Sequence, residues 1–204
     1  MNKFPFFLLF TLCFFPVQSK AEPFRYYAGL GATHDTFGMK DDFEGIIDDH
    51  LASLKINTGV RISDFFSMEV FYQHSNEQDK KTDGFVSGTP VELMTDVSFK
   101  SFGLDFKGYT HETSLFGKNG FRFFGTAGVG VYRFKLKEKV WTGTTKILDL
   151  KEKENKLGLR FGAGVEYSFD EHWGAEAAVR YIDINTSDAV ENLTEWSVGI
   201  KYTF

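Results

Sequence analysis

The chain has 204 residues, a formal net charge of −5 and one cysteine, Cys13, and it is rich in Phe (24), Tyr (8) and Gly (20). A net negative charge disfavours nucleic acid as a partner, and one cysteine excludes an intrachain disulfide and a multi-cysteine metal site. The length predicts a single folded domain.

The N-terminus has the pattern of a secretory signal peptide. A short charged start precedes an apolar stretch over residues 4–17, which is shorter than the roughly 20 residues of a membrane-spanning helix. Small residues then precede a predicted cleavage site between Ala21 and Glu22. We therefore predict a signal peptide over residues 1–21 and one domain over residues 22–204, with a retained membrane anchor as the alternative. The mature chain would have no cysteine, which is compatible with a bacterial envelope protein.

After the signal peptide, eight segments alternate between apolar residues and polar or small residues. A period of two is typical of β-strands that lie between an apolar phase, such as a membrane, and a polar phase. In the sixth segment, for example, Leu157 and Leu159 alternate with Gly158 and Arg160. The segments cover about residues 26–33, 54–62, 66–73, 102–107, 123–132, 157–167, 173–181 and 196–204.

The fourth segment is less regular than the others. Phe102 and Phe106 follow one parity, whereas Val97 and Phe99 upstream follow the opposite one. Two explanations remain open: a β-bulge near Lys100, or an upstream part of the strand that projects above the membrane.

The connections between the segments also alternate in length. Those after segments two and six are short, and the link after segment four, about 109–120, is moderate. Those after segments one, three and five are predicted as long polar loops, at about 36–50, 75–95 and 137–155. Short turns on one side and long loops on the other are typical of an outer-membrane barrel.

The last nine residues alternate without interruption, with Trp196, Tyr202 and Phe204 on the apolar face. This ending resembles the terminal strand of bacterial outer-membrane β-barrels. The segments 102–109 and 121–132 are similar to the fourth and fifth strands of the OmpA/OmpX-like family of small outer-membrane barrels. The resemblance implies an all-β fold, an eight-stranded antiparallel up-and-down transmembrane β-barrel, in the outer membrane of a Gram-negative bacterium. It further implies that these three aromatic residues are part of the signal read by the barrel assembly machinery.

Ionisable residues recur on the faces that are predicted to point into the barrel: Lys55, Arg61, Glu69, Asp105, Lys107, Arg160, Glu166, Glu176 and Arg180. Charges inside a barrel are costly unless they are paired or hydrated. We therefore expect either an interior plugged by opposite charges and glycines or a path for protons or ions. A wide open pore is not expected from eight strands.

One short cluster, Gln73-His74-Ser75-Asn76, contains residue types used in catalysis. A family of outer-membrane lipid A deacylases also uses a His and a Ser of the barrel wall, but with one residue between them. Here His74 and Ser75 are adjacent, so their side chains would point to opposite faces. We therefore predict no catalytic, cofactor-binding or metal-binding residue, and we interpret the acidic residues within 41–49 as a solvated loop rather than a calcium site.

Four basic residues, Lys100, Arg133, Lys135 and Lys137, fall near the predicted extracellular rim, where the phosphates of lipopolysaccharide would lie. Either they bind these phosphates or they only keep the loops soluble. Our leading hypothesis is a monomeric, non-enzymatic outer-membrane barrel without cofactor. Its long extracellular loops would have an envelope-structural role or would adhere to a host or surface ligand. The alternatives are a lipid A-modifying enzyme and a narrow porin-like channel.

Overall fold

The computed structural model describes residues 24–39, 50–76, 78–86, 89–114, 120–142, 145–184 and 190–204. No helix in this part of the chain is long and apolar enough to cross a membrane. The described residues form ten β-strands: β1 Arg25–Met39, β2 His50–Ser63, β3 Phe66–Ser75, β4 Gln78–Val86, β5 Thr89–Tyr109, β6 Thr113–Ser114, β7 Gly120–Thr142, β8 Thr145–Ser168, β9 Trp173–Asp183 and β10 Val190–Thr203.

Eight of these strands close into an antiparallel barrel, in the order β1-β2-β3-β5-β7-β8-β9-β10. The last strand returns to the first, with Tyr27 opposite Thr203 and Phe37 opposite Leu193. The predicted eight-stranded antiparallel up-and-down β-barrel is therefore confirmed. Closure removes the sheet edges that would otherwise leave backbone groups unpaired in an apolar phase.

The barrel has two unequal ends, which we call the turn end and the hairpin end. The turn end holds the connections 64–65 and 169–172 and the link that contains β6. In one of these turns the Asp170 carboxylate accepts hydrogen bonds from the backbone N–H groups of His172 and Trp173, each at 2.7 Å. These two donors hold the pKa of Asp170 below its usual range. At the hairpin end, β5, β7 and β8 extend beyond the other barrel strands.

The prediction of long loops at 75–95 and 137–155 is wrong, because most of these residues are in β-strands. The range 75–95 contains β4 and the start of β5, which pair with each other as a hairpin. The range 137–155 lies in the β7–β8 hairpin, whose pairing continues to Thr142 opposite Thr145. The sequence of this hairpin is rich in charged residues such as Lys137 and Lys139, which favour a loop although Leu136 and Val140 alternate with them. Most of the first predicted loop, 40–49, lies outside the described residues.

The fourth barrel strand, β5, has no bulge near Lys100. Its register with β7 is continuous from Glu92 opposite Trp141 to Tyr109 opposite Phe124. The side chain of Phe99 is fully buried inside the barrel. The alternation is irregular in the sequence because the inner face changes from polar to apolar at this height. The upstream part of β5 projects beyond the barrel wall, in agreement with the second explanation.

The outer wall is apolar along the barrel, and large side chains on it, such as Leu157 and Val198, are more than 60% exposed. Aromatic rings gather at the turn end, where Trp173 and Phe204 contact the ring of Tyr202 at centroid distances of 5.0 and 5.2 Å. An exposed apolar band bordered by aromatic side chains is typical of a wall that faces lipid.

Candidate functional sites in the interior and on the rim

Arg160 lies at the centre of a buried ion-pair network inside the barrel. Its Nε donates to Asp105 at 3.0 Å, and its Nη2 lies 3.3 Å from a carboxylate oxygen of Glu195. Its Nη1 donates to the Tyr132 hydroxyl at 2.6 Å. The guanidinium also lies over the Phe71 ring, 3.9 Å from the centroid. The two carboxylates balance a charge that has no access to solvent.

Arg180 extends this network toward β9 and β10. Its Nη1 donates to Glu195 at 2.9 Å and to the Ser197 hydroxyl at 2.7 Å. Its Nη2 donates to Glu176 at 3.2 Å, and its Nε lies 3.6 Å from Asp105. Arg160 and Arg180 therefore share two carboxylates, so the loss of either arginine changes the surroundings of the other.

Two lysines connect this network to a further carboxylate, that of Glu69. Lys107 Nζ donates to Glu69 at 2.7 Å and to Glu176 at 2.8 Å. Lys55 Nζ lies 3.9 Å from Glu69 and 3.7 Å from Glu195. Cations and carboxylates therefore alternate along this row of contacts.

Toward the turn end the network reaches a cavity. Glu166 accepts a hydrogen bond from Arg61 at 2.7 Å and forms a second ion pair with Lys201. These three side chains line a cavity of about 550 Å³ that is bordered by the 169–172 turn. In the part of the chain that the structure describes, no three His, Cys, Asp or Glu side chains are grouped to hold a metal ion.

Toward the hairpin end the interior changes from charged to apolar. Asp35 marks the transition, since its carboxylate accepts hydrogen bonds from Thr33, Ser53 and Gln73. Beyond it lies a buried cluster that we call the apolar plug. The apolar plug consists of Phe37, Leu51, Phe99, Tyr132, Ile182, Ile184, Val190 and Leu193. The described interior is therefore filled by paired charges and closed by apolar side chains at one end.

The structure brings together all the ionisable residues that the sequence placed inside the barrel, and it adds Lys201, Glu195 and Asp35. Lys201 has the same parity as the inward Ser197, so the alternation alone is sufficient to find it. Glu195 has this parity too, but the predicted last segment begins at residue 196, whereas β10 begins at Val190. Asp35 lies beyond the predicted end of the first segment.

On the outer face, cationic side chains stand just beyond the apolar band. Lys100 lies directly opposite Arg133, and Lys135 lies directly opposite Lys153. We call these four residues the basic ladder. Arg133 Nε donates to the Asn155 side chain at 2.6 Å, which fixes its position on this face. Directly opposed like charges repel each other, so this arrangement favours an anion bound between them.

Lys137, the remaining predicted rim contact, lies one step further from the barrel on the same face, opposite Lys151. Lys139 follows it and donates to Asp96 at 2.9 Å. The sequence prediction missed Lys153 because it places the range 137–155 in a loop, and a loop has no cross-strand register.

His74 and Ser75 point to opposite sides of the barrel wall. The His74 ring is exposed on the outer face, whereas Ser75 is fully buried. The Ser75 hydroxyl accepts a hydrogen bond from the backbone N–H of Phe99 at 2.8 Å. These two side chains are therefore not placed as a nucleophile and its base.

The predicted assembly signal lies at the seam where the barrel closes. Trp196 and Phe204 are exposed on the outer wall, and the backbone N–H of Phe204 donates to the carbonyl of Tyr26 at 2.9 Å. Recognition of these residues by the assembly machinery stays a prediction. The predicted cleavage site at Ala21 and Glu22 lies outside the described residues.

The fold agrees with comparisons to known proteins. A family model described as outer membrane protein beta-barrel domain matches residues 6–204. The chain belongs to this family. Membership places the barrel in the outer membrane of a Gram-negative bacterium, with its strands crossing the membrane. In such barrels the short turns face the periplasm and the longer connections face outward, so the turn end is periplasmic and the hairpin end is extracellular.

Solved structures of small outer-membrane barrels are similar to this chain. Neisserial surface protein A has a TM-score of 0.62 at 19% identity, covering 90% of this chain and 100% of that one. OprG of Pseudomonas aeruginosa has a TM-score of 0.53 at 17% identity, covering 89% and 95%. Ail, the attachment invasion locus protein of Yersinia pestis, has a TM-score of 0.51 at 14% identity, covering 89% and 97%. No curated protein sequence matches the chain. At these identities the likeness shows the fold alone.

Proposed function

We propose that this protein is a non-enzymatic, non-conducting barrel that presents an extracellular β-sheet for attachment of the cell to another surface. The observation that carries the proposal is the contrast between the two parts of the molecule. The interior of the barrel is filled by an ion-pair network and the apolar plug. In contrast, a large sheet continues outside, where it is accessible to partners.

This extracellular sheet consists of β4 and the upper parts of β5, β7 and β8. The pairing of β7 with β8 continues for nine residues beyond Arg133, from residue 133 to residue 142. At roughly 3.3 Å per residue the sheet extends about 30 Å along its strands. Within the described residues, β8 pairs with β9 only from Leu159 downward, so the upper part of β8 is an edge strand. A sheet of this size offers a rigid surface on which side chains can bind a macromolecule.

A relative with the same fold supports an attachment role. Ail is named as an attachment invasion locus protein, and one of its structures contains the heparin analogue sucrose octasulfate. An eight-stranded outer-membrane barrel can therefore carry such a function. The placement of His74 and Ser75 on opposite faces favours this role over a lipid A-modifying enzyme.

The basic ladder supports a second part of the proposal, which is contact with lipopolysaccharide. Its side chains stand at the extracellular border of the apolar band, which is the level of the lipid A phosphates in the outer leaflet. Lys and Arg form short, charge-assisted hydrogen bonds with phosphate. We propose that these contacts hold the barrel, and with it the extracellular sheet, at a fixed height in the outer leaflet.

Shortening the β7–β8 hairpin tests the attachment role. Replacement of residues 137–151 by an Asn-Gly turn would join Leu136 to Glu152, which are already cross-strand partners. Bacteria that express this variant should attach to cultured epithelial cells at least about tenfold less than bacteria with the full chain, because most of the proposed binding surface is removed.

The control is a variant in which residues 185–189, which connect β9 to β10 in the chain, are replaced by Gly and Ser at the same length. Surface levels of all variants are measured by labelling of whole cells. Equal attachment by the full chain and the shortened variant, at equal surface levels, would refute the attachment role.

A further inference from the structure

The lipid-facing wall has a trough along β7. Above Phe123, the outward residues of this strand up to Val131 are small or short, namely Gly125, Ala127, Val129 and Val131. Their cross-strand neighbours are large: Leu104 and Leu159 lie on either side of Val129. Beside these large neighbours, the outer surface along β7 therefore lies closer to the barrel axis than it does along β5 and β8.

Two ridges border the trough from Val131 to Ala127, and at Gly125 the neighbours on both strands are small. The β5 ridge and the β8 ridge consist of outward side chains in register with those of β7: Phe102, Leu104 and Phe106 on β5, and Leu157, Leu159 and Phe161 on β8. From Val131 to Gly125 the trough extends about 20 Å at roughly 3.3 Å per residue. At a strand tilt of about 40° this path descends about 15 Å, which is half of the ~30 Å hydrocarbon core.

The lower end of the trough opens into a groove of about 660 Å³. Gly108 lies directly opposite Gly125 at its floor, and Phe66, Phe106 and Phe161 line its sides. No atom of the described residues lies within 4 Å of a Cβ placed on Gly125. The groove is open toward lipid and has an almost entirely apolar surface, so it suits a hydrocarbon chain.

The upper end of the trough meets the basic ladder. Val131 is followed on the same face of β7 by Arg133 and then by Lys135. Arg133 stands opposite Lys100, and Lys135 stands opposite Lys153. A phosphate bound at this position would therefore have an apolar path of one leaflet's depth directly below it. An anionic lipid can be recognised by two adjacent features of this kind: a cationic site that binds its phosphate and an apolar trough that holds its acyl chain.

We infer that the ladder and the trough together form a binding site for one molecule of lipopolysaccharide. Its lipid A phosphate would lie between the side chains of the basic ladder, and one of its acyl chains would lie in the β7 trough. This inference rests on the proposed contact of the ladder with lipopolysaccharide and adds the acyl chain to it. A phospholipid of the periplasmic leaflet is excluded as the occupant of the whole site, because its phosphate would be at the opposite end of the trough.

The test measures binding of purified rough-type lipopolysaccharide to the full chain in detergent micelles by native mass spectrometry. Lys135→Gln/Lys153→Gln removes two ladder charges and should weaken binding about tenfold. Gly125→Leu/Ala127→Leu fills the trough and should also weaken binding about tenfold, because the acyl chain loses its groove. The trough variant should bind deacylated lipopolysaccharide as well as the original protein does.

Ala177→Leu is the matched control, since Ala177 is exposed on the outer face of β9, away from the trough. It should leave binding unchanged. If the trough variant binds lipopolysaccharide normally while the ladder variant does not, the acyl-chain site is refuted and the ladder contact stands. If neither variant is weakened, both the site and the ladder contact are refuted. A membrane protein that co-purifies with the original chain in place of the lipid, and is lost from the trough variant, would also refute the site.

A second measurement avoids any effect of substitution on folding. In the unsubstituted protein with selectively protonated Val methyl groups, nuclear Overhauser effects are expected between the acyl chain of bound lipopolysaccharide and the methyl groups of Val129 and Val131. Contacts to Val198, on β10 and three strands away from β7, serve as the reference. Equal intensities at all three valines would show ordinary lipid contact and would overturn the inference.

Discussion

Arg160→Met is expected to lower the free energy of unfolding by about 3–5 kcal/mol, because it removes one partner from a buried network and leaves its carboxylates poorly compensated. Arg160 contacts both Asp105 and Glu195 and donates to Tyr132. Methionine has a similar length, so the main change is the loss of charge and hydrogen bonds. Urea unfolding from lipid vesicles, followed by tryptophan fluorescence, measures the change.

Arg25→Met is the control for this substitution. Arg25 also forms an ion pair, with Asp64 at 2.9 Å, but both side chains are almost half exposed to solvent. Exposed pairs of this kind contribute about 0–1 kcal/mol. The double variant Arg160→Met/Asp105→Asn should recover part of the loss, because it removes one of the uncompensated carboxylates. Equal effects of Arg160→Met and Arg25→Met would show that the interior network is not buried as described.

Gly103→Val is expected to destabilise the barrel by about 3 kcal/mol or to prevent its closure, since overpacking of this kind costs about 1–3 kcal/mol and occasionally more. A Cβ on Gly103 would lie 2.7 Å from the Phe71 ring and would also collide with the carbonyl oxygen of Val129. Phe71 is fully buried and supports the guanidinium of Arg160. Neither the backbone oxygen nor this ring can move without disturbing the interior network.

Gly125→Val is the matched control, because Gly125 lies on the neighbouring strand but faces lipid, with open space where its Cβ would stand. Heat-modifiable migration on gels reports the folded fraction of each variant after refolding. A large loss for Gly103→Val with little change for Gly125→Val is the expected result. The opposite order would mean that the inward and outward faces have been assigned incorrectly.

The alternation in the sequence was sufficient to predict the fold, because in a closed barrel each side chain faces either lipid or the interior. Arg160 and Leu159 are neighbours in the chain, and their residue types alone indicate which of them is buried. The same reasoning grouped nine interior charges that lie on five different strands, although it could not predict which carboxylate contacts which cation. Those pairs depend on the register and stagger of the closed barrel.

Beyond the membrane this reasoning fails for a physical reason. The upper β7–β8 hairpin is rich in charged residues such as Lys135 and Lys153, so its short alternation with apolar residues such as Leu136 and Leu150 is not distinguished from a polar loop. The apolar plug was missed because residues such as Phe99 have the inward parity but an apolar type, and the interior was expected to be polar. The β7 trough depends on differences in size among apolar residues, which a division into apolar and polar residues does not register.

The filled barrel and its extended outer sheet are the reasons for the proposal that the protein acts at its surface and not through its lumen. The lumen of an eight-stranded barrel is narrow, and here it contains Arg160, Arg180, Lys107 and their carboxylate partners below the apolar plug. Opening a path for ions would require separation of buried ion pairs and displacement of apolar side chains. Both changes are costly in a low-dielectric interior.

Single-channel recording in planar lipid bilayers tests this central claim most directly. The purified full chain is inserted from detergent, and insertion is verified by heat-modifiable migration of protein recovered from the same preparation. A large general porin serves as the positive control for insertion and detection. We expect the protein to give no stepwise conductance at moderate voltages, because the ion-pair network and the apolar plug fill the interior. A sustained open level that scales with the number of inserted molecules would contradict the description of the barrel as closed.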